Sequence, residues 1–235
     1  MSPRGATLLR WSSRLLAGLV LLAVALQCWY LGWVVWWKYA DPDMTRFMQI
    51  RLAEARVSNP KVQLRHYWQP YTKISVSLKR AVIAAEDDKF VDHEGFDWEG
   101  MQKALEKNQK KGKVVAGGST ISQQLAKNLF LSPAKTPLRK VQEAAITLML
   151  ETLWDKQRIL EVYLNSVEWG ECVFGAEAAA RRYYNISAAQ LSAEQAARLA
   201  VMLPAPRRFE KNPYSAYVNR RTQLILGRMS NSEVP

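Results

Sequence analysis

The sequence contains few of the residues that build disulfide frameworks and metal centres. It has two cysteines, Cys28 and Cys172, and two histidines, His66 and His93. Cys28 lies inside an apolar run, so a bond to Cys172 is a poor expectation, and this set matches no zinc-binding spacing. The composition predicts neither a structural disulfide nor a zinc site.

Residues 38–235 contain no repeat, no low-complexity tract and no Pro/Gly-rich linker. The 235 residues suffice for one domain with a full core and an appendage, but not for two large domains. We therefore expect residues 38–235 to fold as a single domain.

Acidic residues are also scarce: 21 Asp and Glu stand against 33 Lys and Arg, a formal charge of +12. Residues 1–37 hold three arginines and no acid, so most of the surplus lies in the remainder. Such a surplus favours an anionic partner, which is a nucleic acid, an anionic membrane face or a phosphorylated substrate. Composition alone does not separate these three.

Charge is absent from Leu15 to Trp37, where Gln27 is the one strongly polar side chain. As a helix this segment is roughly 34 Å long, enough to cross a bilayer core. Three arginines precede it and bulky aromatics gather at its far end, as the positive-inside rule and the interfacial preference of aromatic rings predict for a signal anchor. These residues are Arg4, Arg10 and Arg14, then Trp29, Tyr30, Trp33, Trp36 and Trp37.

We therefore predict a cytoplasmic basic tail over 1–14, a transmembrane signal anchor over 15–37 and a periplasmic domain over 38–235. A cleaved signal peptide would have a shorter apolar core followed by small residues. A buried helix of a soluble protein is the other alternative.

Apolar spacing of helical type recurs along the domain, for example at Leu78, Val82 and Ala85, and predicts a mainly α fold. Brief strand-like alternation occurs near Lys73–Ser77. The basic and polar segment Lys103–Lys113 has little to bury, and we expect a mobile loop or lid there.

Two helix starts are marked by capping patterns. Thr120 with Gln123 predicts a capping box, and Thr136 with Pro137 predicts an N-cap followed by proline in the first turn.

The first candidate functional residue is Glu86, which follows the apolar stretch 81–85. At the edge of a buried helix face, desolvation raises a carboxyl pKa and suits the group to proton transfer. An acidic helix end in water explains the same pattern.

The second candidate region begins at Gly117 and Gly118 and leads into a capped helix. Free backbone N–H groups at such an end form a natural anion site. Gln123 and Lys127 are four residues apart, so their side chains could point into one cleft. An ordinary glycine turn before a capped helix is the alternative.

Two further pairs stand one helical turn apart. Arg139 and Glu143 form either a surface ion pair or part of a cationic wall that faces a pyrophosphate. Glu161 and Asn165 share a face, and a buried structural hydrogen bond competes with a binding role.

In this order, the blocks resemble the family-51 peptidoglycan glycosyltransferases, whose domain also forms the first half of bifunctional penicillin-binding proteins. The resemblance spans roughly residues 67–213. The residues that carry it are Glu86 to Phe90 with His93, Gly95 and Asp97; Gly117 to Phe130; Arg139, Lys140 and Glu143; Lys156 with Glu161 and Asn165; and Leu191 to Glu194, Leu203 to Pro206, Asn212 and Pro213.

The resemblance implies a lysozyme-like helical domain with a small membrane-proximal jaw lobe. It implies that Glu86 removes the proton from the 4-hydroxyl of an incoming lipid II, which attacks the growing chain and inverts an α-linked pyrophosphate into a β-1,4 link. Glu143 would be a second carboxylate that orients cations or the departing pyrophosphate. The implied substrate-binding residues are Asp87, Phe90, His93, Gly118, Ser119, Thr120, Gln123, Gln124, Lys127, Asn128, Arg139, Lys140, Glu161 and Asn165.

The resemblance also sets expectations for cofactors and partners. No metal ligand set is visible, although the family allows a divalent cation, Mg²⁺ or Mn²⁺, to assist pyrophosphate departure. The implied partners are lipid II, the nascent glycan strand, the inner membrane and penicillin-binding or cell-division proteins, and no nucleic acid. Lys135 stands where the family usually has arginine, which removes a bidentate grip on phosphate.

Three competing functions remain open. A lysozyme-like hydrolase could share the fold and the acidic residue, but would not need a cationic cleft. Ser132 and Lys135 match a transpeptidase Ser-x-x-Lys pattern without its companion motifs. The third is a nucleic-acid-binding or membrane scaffold protein. The signal anchor would keep the domain away from nucleic acid, and a scaffold would have no use for the Glu86 carboxyl group.

Overall fold

The structure, a computed structural model, describes residues 3–113, 117–134 and 136–235, with side chains from Ser13 onward. The fold is mainly helical, which confirms the predicted class. Two compact units are present, Met1–Ala40 and Asp41–Pro235. Lys135 and the side chains of Arg4 and Arg10 lie outside the described residues, so the expectations that concern them stay predictions.

The first unit consists of helix α1, Pro3–Tyr39. Its segment Ser13–Tyr39 has 27 residues and a mean hydropathy of 2.0, which makes it long and apolar enough to cross a membrane. This helix confirms the predicted apolar N-terminal helix and fits a single-pass anchor. The boundaries at residues 14 and 37 stay predictions.

The second unit is built from short helices around a small sheet. The helices are α2 Arg46–Ser58, α3 Val76–Glu86, α4 Trp98–Lys111, α5 Ile121–Phe130, α6 Pro137–Leu153, α7 Lys156–Ser166, α8 Ala176–Tyr184, α9 Ala193–Met202, α10 Pro206–Phe209 and α11 Ala216–Arg228. Single 3₁₀ turns occur at Tyr71–Lys73, Ala188–Gln190 and Met229–Asn231.

The sheet has the strand order β1-β3-β2, from β1 Arg65–His66, β2 Glu168–Gly170 and β3 Val173–Phe174. Strand β1 pairs parallel to β3, with Arg65 opposite Val173, and β2 pairs antiparallel to β3.

The core consists of two helix groups. Helix α3 packs on α9, which also packs on α11, and α5 packs between α6 and α7. Fully buried apolar side chains lie on the facing sides, at Leu78 and Val82 of α3, Leu125 of α5, Ile146 of α6 and Leu160 of α7. Burial of this apolar area holds the C-terminal end of α3 close to α5.

The expected loop at Lys103–Lys113 is wrong, because most of it lies in helix α4. The N-cap Asp97 accepts a hydrogen bond from the Gly100 amide, and the helix ends at Gly112, whose φ of 61° is left-handed. Ala, Leu, Glu, Lys and Gln favour a helix even where little is buried, and Ala104 is the buried residue of α4. The low hydrophobicity indicated exposure, not the absence of structure.

The expected strand near Lys73–Ser77 is also wrong. A 3₁₀ turn ends at Lys73, and the Ser75 hydroxyl accepts a hydrogen bond from the Leu78 amide as the N-cap of α3. The short alternation is produced by a helix cap followed by the buried face of α3. Both predicted caps at Thr120 and Thr136 are confirmed.

Candidate functional site

Glu86 is the last residue of α3 and lies partly buried at one side of a cleft. Gln124 of α5 donates a hydrogen bond from Nε2 to Glu86 Oε2 at 2.8 Å. The Gln124 Oε1 atom in turn accepts a hydrogen bond from the buried Tyr163 hydroxyl at 3.0 Å. A chain of two hydrogen bonds therefore orients the Glu86 carboxyl from α5 and α7.

Burial raises the pKa of Glu86, and the neighbouring Asp87 adds to the rise. The Gln124 hydrogen bond and the Lys127 charge act in the opposite direction and lower this pKa. A carboxylate whose pKa is raised is a stronger base than that of an ordinary glutamate, which suits it to accept a proton. Glu86 has the environment that the sequence predicted for it.

The adjacent Asp87 is buried, and its carboxylate accepts a hydrogen bond from the protein backbone. Its Oδ2 accepts a hydrogen bond from the Ile121 amide at 2.9 Å, and its Oδ1 pairs with His93 Nε2 at 2.9 Å. The Gly95 amide donates to His93 Nδ1, so we assign the ring proton to Nε2. Asp87 and His93 therefore position the start of α5, and their contact with a substrate stays a prediction.

These bonds correct the expectation of a vacant anion site at the N-terminus of α5. The Ile121 amide bonds to Asp87, and the Gln123 amide bonds to the Thr120 hydroxyl at 3.2 Å. The chain's own oxygen atoms therefore occupy two of the amide groups at the positive end of the helix. The cap is confirmed, and anion binding by other amide groups of this segment stays a prediction.

Gln123 completes this cap, and its Oε1 accepts the Thr120 amide at 3.1 Å. The Gln123 side chain is 2% exposed. The expectation that its amide shares a cleft with Lys127 is therefore wrong, because the cap turns the side chain inward. The Thr120 hydroxyl donates to the Gly95 carbonyl at 2.7 Å, which ties the cap to the loop after α3.

Two helices supply the cationic cluster. It consists of Arg139 and Lys140 of α6 and Lys127 of α5, around Glu143 of α6. Glu143 is 3% exposed and pairs with Arg139 Nη1 at 2.5 Å and with Lys140 Nζ. Lys140 Nζ also donates to Ser119 Oγ at 3.3 Å. The predicted ion pair is confirmed, but it is buried at the carboxylate, which indicates more than a surface contact.

Lys127 is the member of this cluster whose charge acts on Glu86. Burial lowers its pKa, and the charges of Arg139 and Lys140 lower it further, while Glu143 and Glu86 favour the cation. Within the described residues the Lys127 ammonium makes no ion pair within 4 Å. The cluster thus holds positive charge that is incompletely neutralised, beside a raised-pKa carboxyl group.

The cleft has a volume of about 150 Å³ and is lined by Glu86, Asp97, Gly117 to Ser119 and Arg228. A Cβ atom on Gly118 would lie 3.1 Å from Met101 Cα, so glycine allows α4 to approach closely. This geometry places Gly118 and Ser119 at the cleft, as predicted.

Two groups near the site were missed by the sequence reasoning. Arg228 lines the cleft and pairs with Asp88 at 2.9 Å. The two residues are 140 positions apart in the sequence, so no local sequence pattern could indicate the pair. Tyr163 of α7 lies fully buried in the core, and its hydroxyl donates a hydrogen bond to Gln124.

Glu161 and Asn165 hold a neighbouring segment of backbone. Glu161 Oε1 accepts the Tyr71 amide at 2.7 Å, and the fully buried Asn165 exchanges hydrogen bonds with the amide and carbonyl groups of Gln69 at 2.8 and 2.9 Å. Their polar groups are occupied inside the fold. The structural hydrogen bonds are confirmed, and a substrate-binding role for this pair stays a prediction.

Phe90 and Asn128 are also buried. The Phe90 ring lies edge-on to His93 with a centroid separation of 6.4 Å, and Lys156 Nζ lies 4.7 Å from its centroid. The structure therefore places Phe90 in packing below the site. Of the predicted residues, it brings together Glu86, Gln124, Lys127, Ser119, Arg139, Lys140 and Glu143.

Known proteins match this sequence over most of its length. A family model described as "Transglycosylase" matches residues 54–230. The chain is similar to the "Biosynthetic peptidoglycan transglycosylase" of Dechloromonas aromatica (strain RCB), with 64% identity over 226 residues that cover 96% of this chain and 98% of that protein.

Two further relatives carry the same name. The protein of Aromatoleum aromaticum is 58% identical over 229 residues, 97% of this chain and 99% of its own length. The protein of Herminiimonas arsenicoxydans is 57% identical over 216 residues, 92% of this chain and 94% of its own. The similarity therefore extends well beyond the residues of the cleft.

Proposed function

We propose that this chain, which belongs to the transglycosylase family, is a peptidoglycan glycosyltransferase that polymerises glycan chains from lipid II. The observation that carries the proposal is the position of Glu86. A partly buried carboxyl group of raised pKa stands beside a cluster of three cations. A base and a cationic site for a leaving pyrophosphate are the two elements that this transfer needs.

In the proposed reaction, Glu86 takes the proton from the 4-hydroxyl of an incoming lipid II. The oxygen attacks the anomeric carbon of the growing chain from the face opposite the pyrophosphate, so the new β-1,4 bond forms as the old carbon–oxygen bond breaks. The pyrophosphate leaves with the bonding electron pair. Lys127, Arg139 and Lys140 stabilise the negative charge that develops on it.

Glu143 orients two of these cations, since its oxygen atoms already pair with Arg139 and Lys140. Within the described ranges, no three His, Cys, Asp or Glu side chains are grouped to hold a metal ion. We therefore assign no metal-binding role to the chain's own residues. Assistance by Mg²⁺ or Mn²⁺ stays a proposal, tested by activity with EDTA and with each ion restored.

The location of the activity is part of the proposal. We place α1 in the cytoplasmic membrane with the N-terminus inside and the domain outside, next to the lipid-linked substrate. Confinement of enzyme and substrate to one surface raises their local concentration. Penicillin-binding or cell-division proteins are the proposed protein partners, and co-purification from cross-linked membranes tests them.

Polymerisation of labelled lipid II by the full chain in detergent tests the activity. Wild type should produce long glycan, and Glu86→Gln should lower the rate at least about 100-fold, the contribution typical of a general base. Glu94→Gln is the matched control, because Glu94 is an exposed carboxyl on the next loop and should retain full activity. Near-normal synthesis by Glu86→Gln would reject Glu86 as the base.

The same preparation distinguishes a lysozyme-like hydrolase. Purified cell wall is added in place of lipid II, and a hydrolase would release soluble fragments from it. Fragment release without glycan synthesis would replace the proposed activity with cleavage.

A further inference from the structure

Phe47 of α2 lies close to the cationic cluster although it belongs to none of the sequence blocks. Its side chain is 7% exposed, and its ring faces two cations. The Arg51 guanidinium lies 4.8 Å from the ring centroid, and Lys127 Nζ lies 5.7 Å from it. Both distances fall within the range of cation–π attraction, and α2 packs directly on α5.

The orientation of the ring is held from two sides. Phe174 of β3 packs edge-on against it, at a centroid distance of 6.5 Å and an interplanar angle of 75°. The Arg51 guanidinium over the ring is held by two carboxylates, because Nη1 pairs with Glu54 at 2.8 Å and Nε lies 3.3 Å from Oε2 of the buried Glu168. Phe47 therefore presents a fixed face to Lys127.

The surroundings of Lys127 make an aromatic neighbour favourable for its positive charge. It is desolvated and close to the positive charges of Arg139 and Lys140, while Glu143 and Glu86 attract it without an ion pair within 4 Å in the described part of the chain. Arg139 and Lys140 instead direct N–H groups to Glu143. An aromatic face stabilises a cation without accepting its N–H bonds as a carboxylate does, which leaves those donors for phosphate oxygens.

We propose that Phe47 is a positioning residue whose ring keeps Lys127 cationic and directed toward the leaving pyrophosphate. The proposal rests on the proposed function, because it concerns the same site. It assigns a catalytic purpose to the packing of α2 on α5.

The test is Phe47→Leu, which keeps apolar volume and removes the ring. Loss of a cation–π contact should lower the Lys127 pKa, so the alkaline limb of the kcat/KM profile with lipid II should move to lower pH by about 0.4 to 1.5 units. Below that limb the rate should approach the wild-type value. Phe47→Tyr retains a ring face and should restore the wild-type profile.

Leu52→Ala is the matched control, since it removes buried apolar volume from the same helix α2 in a different cluster, beside Ala55 and Cys172. Thermal melts compare the stability of all variants. A lower Tm in Phe47→Leu with an unmoved alkaline limb would mean that Phe47 only packs, and so would an equal shift in Leu52→Ala.

The outcome also separates this proposal from the proposed function. An inactive wild type would refute the polymerase activity and this role with it. An active wild type that depends on Lys127 but not on the ring would refute only the role of Phe47.

Discussion

Replacement of Gln124 by methionine tests how the protein sets the strength of its proposed base. Methionine is unbranched and of similar length, but it offers no N–H to Glu86 and no carbonyl to Tyr163. The change should remove the 2.8 Å hydrogen bond to Glu86 Oε2 while leaving most of the packing intact.

The expected magnitude follows from the charge on the acceptor. A hydrogen bond to an ionised group contributes about 1.5 to 3 kcal/mol, and about 1.4 kcal/mol corresponds to one pKa unit. The Gln124 bond lowers the Glu86 pKa. Its loss should therefore raise that pKa by about one to two units.

Glu86 must be unprotonated to act as a base, so activity rises with pH through its pKa. A higher Glu86 pKa moves the acidic limb of the kcat/KM profile to higher pH, by the same amount of about one to two pH units. At a fixed pH below the limb the rate should fall about tenfold to 100-fold, and the plateau should change little.

The assay is polymerisation of lipid II across this pH range, with Tyr163→Phe as the graded control. That variant removes only the outer hydrogen bond of the chain, a neutral contact worth about 0.5 to 1.5 kcal/mol, so its limb should shift less. A pH-independent loss of rate in Gln124→Met, with the acidic limb unmoved, would refute the reasoning. Gln124 would then act by contacting substrate.

Three further predictions concern stability. Because burial raises the Glu86 pKa, the folded protein binds that proton more tightly than the unfolded chain does. The stability that results is lost as the pH rises through the folded-state pKa. Glu86→Gln should therefore have a higher Tm than wild type in alkaline buffer, and a lower Tm there would contradict this. Asn165→Ala leaves the Gln69 amide and carbonyl unpaired and should cost about 2 to 4 kcal/mol in chemical unfolding, with activity per folded molecule retained. Glu143→Gln removes the buried partner of Arg139 and should cost about 1 to 3 kcal/mol, and a melt equal to wild type would show that the pair contributes no stability.

The two wrong element predictions have a common physical reason. Segment Lys103–Lys113 was judged by how little it could bury, whereas helix propensity and the Asp97 cap were sufficient to form α4. The alternation at Lys73–Ser77 was too short to distinguish a strand from a cap followed by a helix. Burial and order are separate properties, and a single local pattern reports only one of them.

For the site residues too, a local sequence pattern left open which partner each polar side chain has. Thr120 and Gln123 were expected both in a cap and in binding, and only the packing of α5 against the loop after α3 reveals that the cap uses both side chains. Asn165 could have faced either way on α7, and the backbone of Gln69, which lies beside it, decides that it bonds to backbone groups. A polar side chain on a helix face has no defined partner until another element packs against it.

The sequence by itself determined the apolar helix α1, the helix caps, the excess of positive charge and the ordered blocks that resemble the glycosyltransferases. These are properties of composition and of spacing within one turn or one segment. Only the tertiary structure decided that Glu86 bonds to Gln124 and, through it, to Tyr163, and that Phe47 faces Lys127. Those contacts join residues 38 to 80 positions apart, and they form only when α2 and α7 pack on α5 and the C-terminal end of α3 comes beside it.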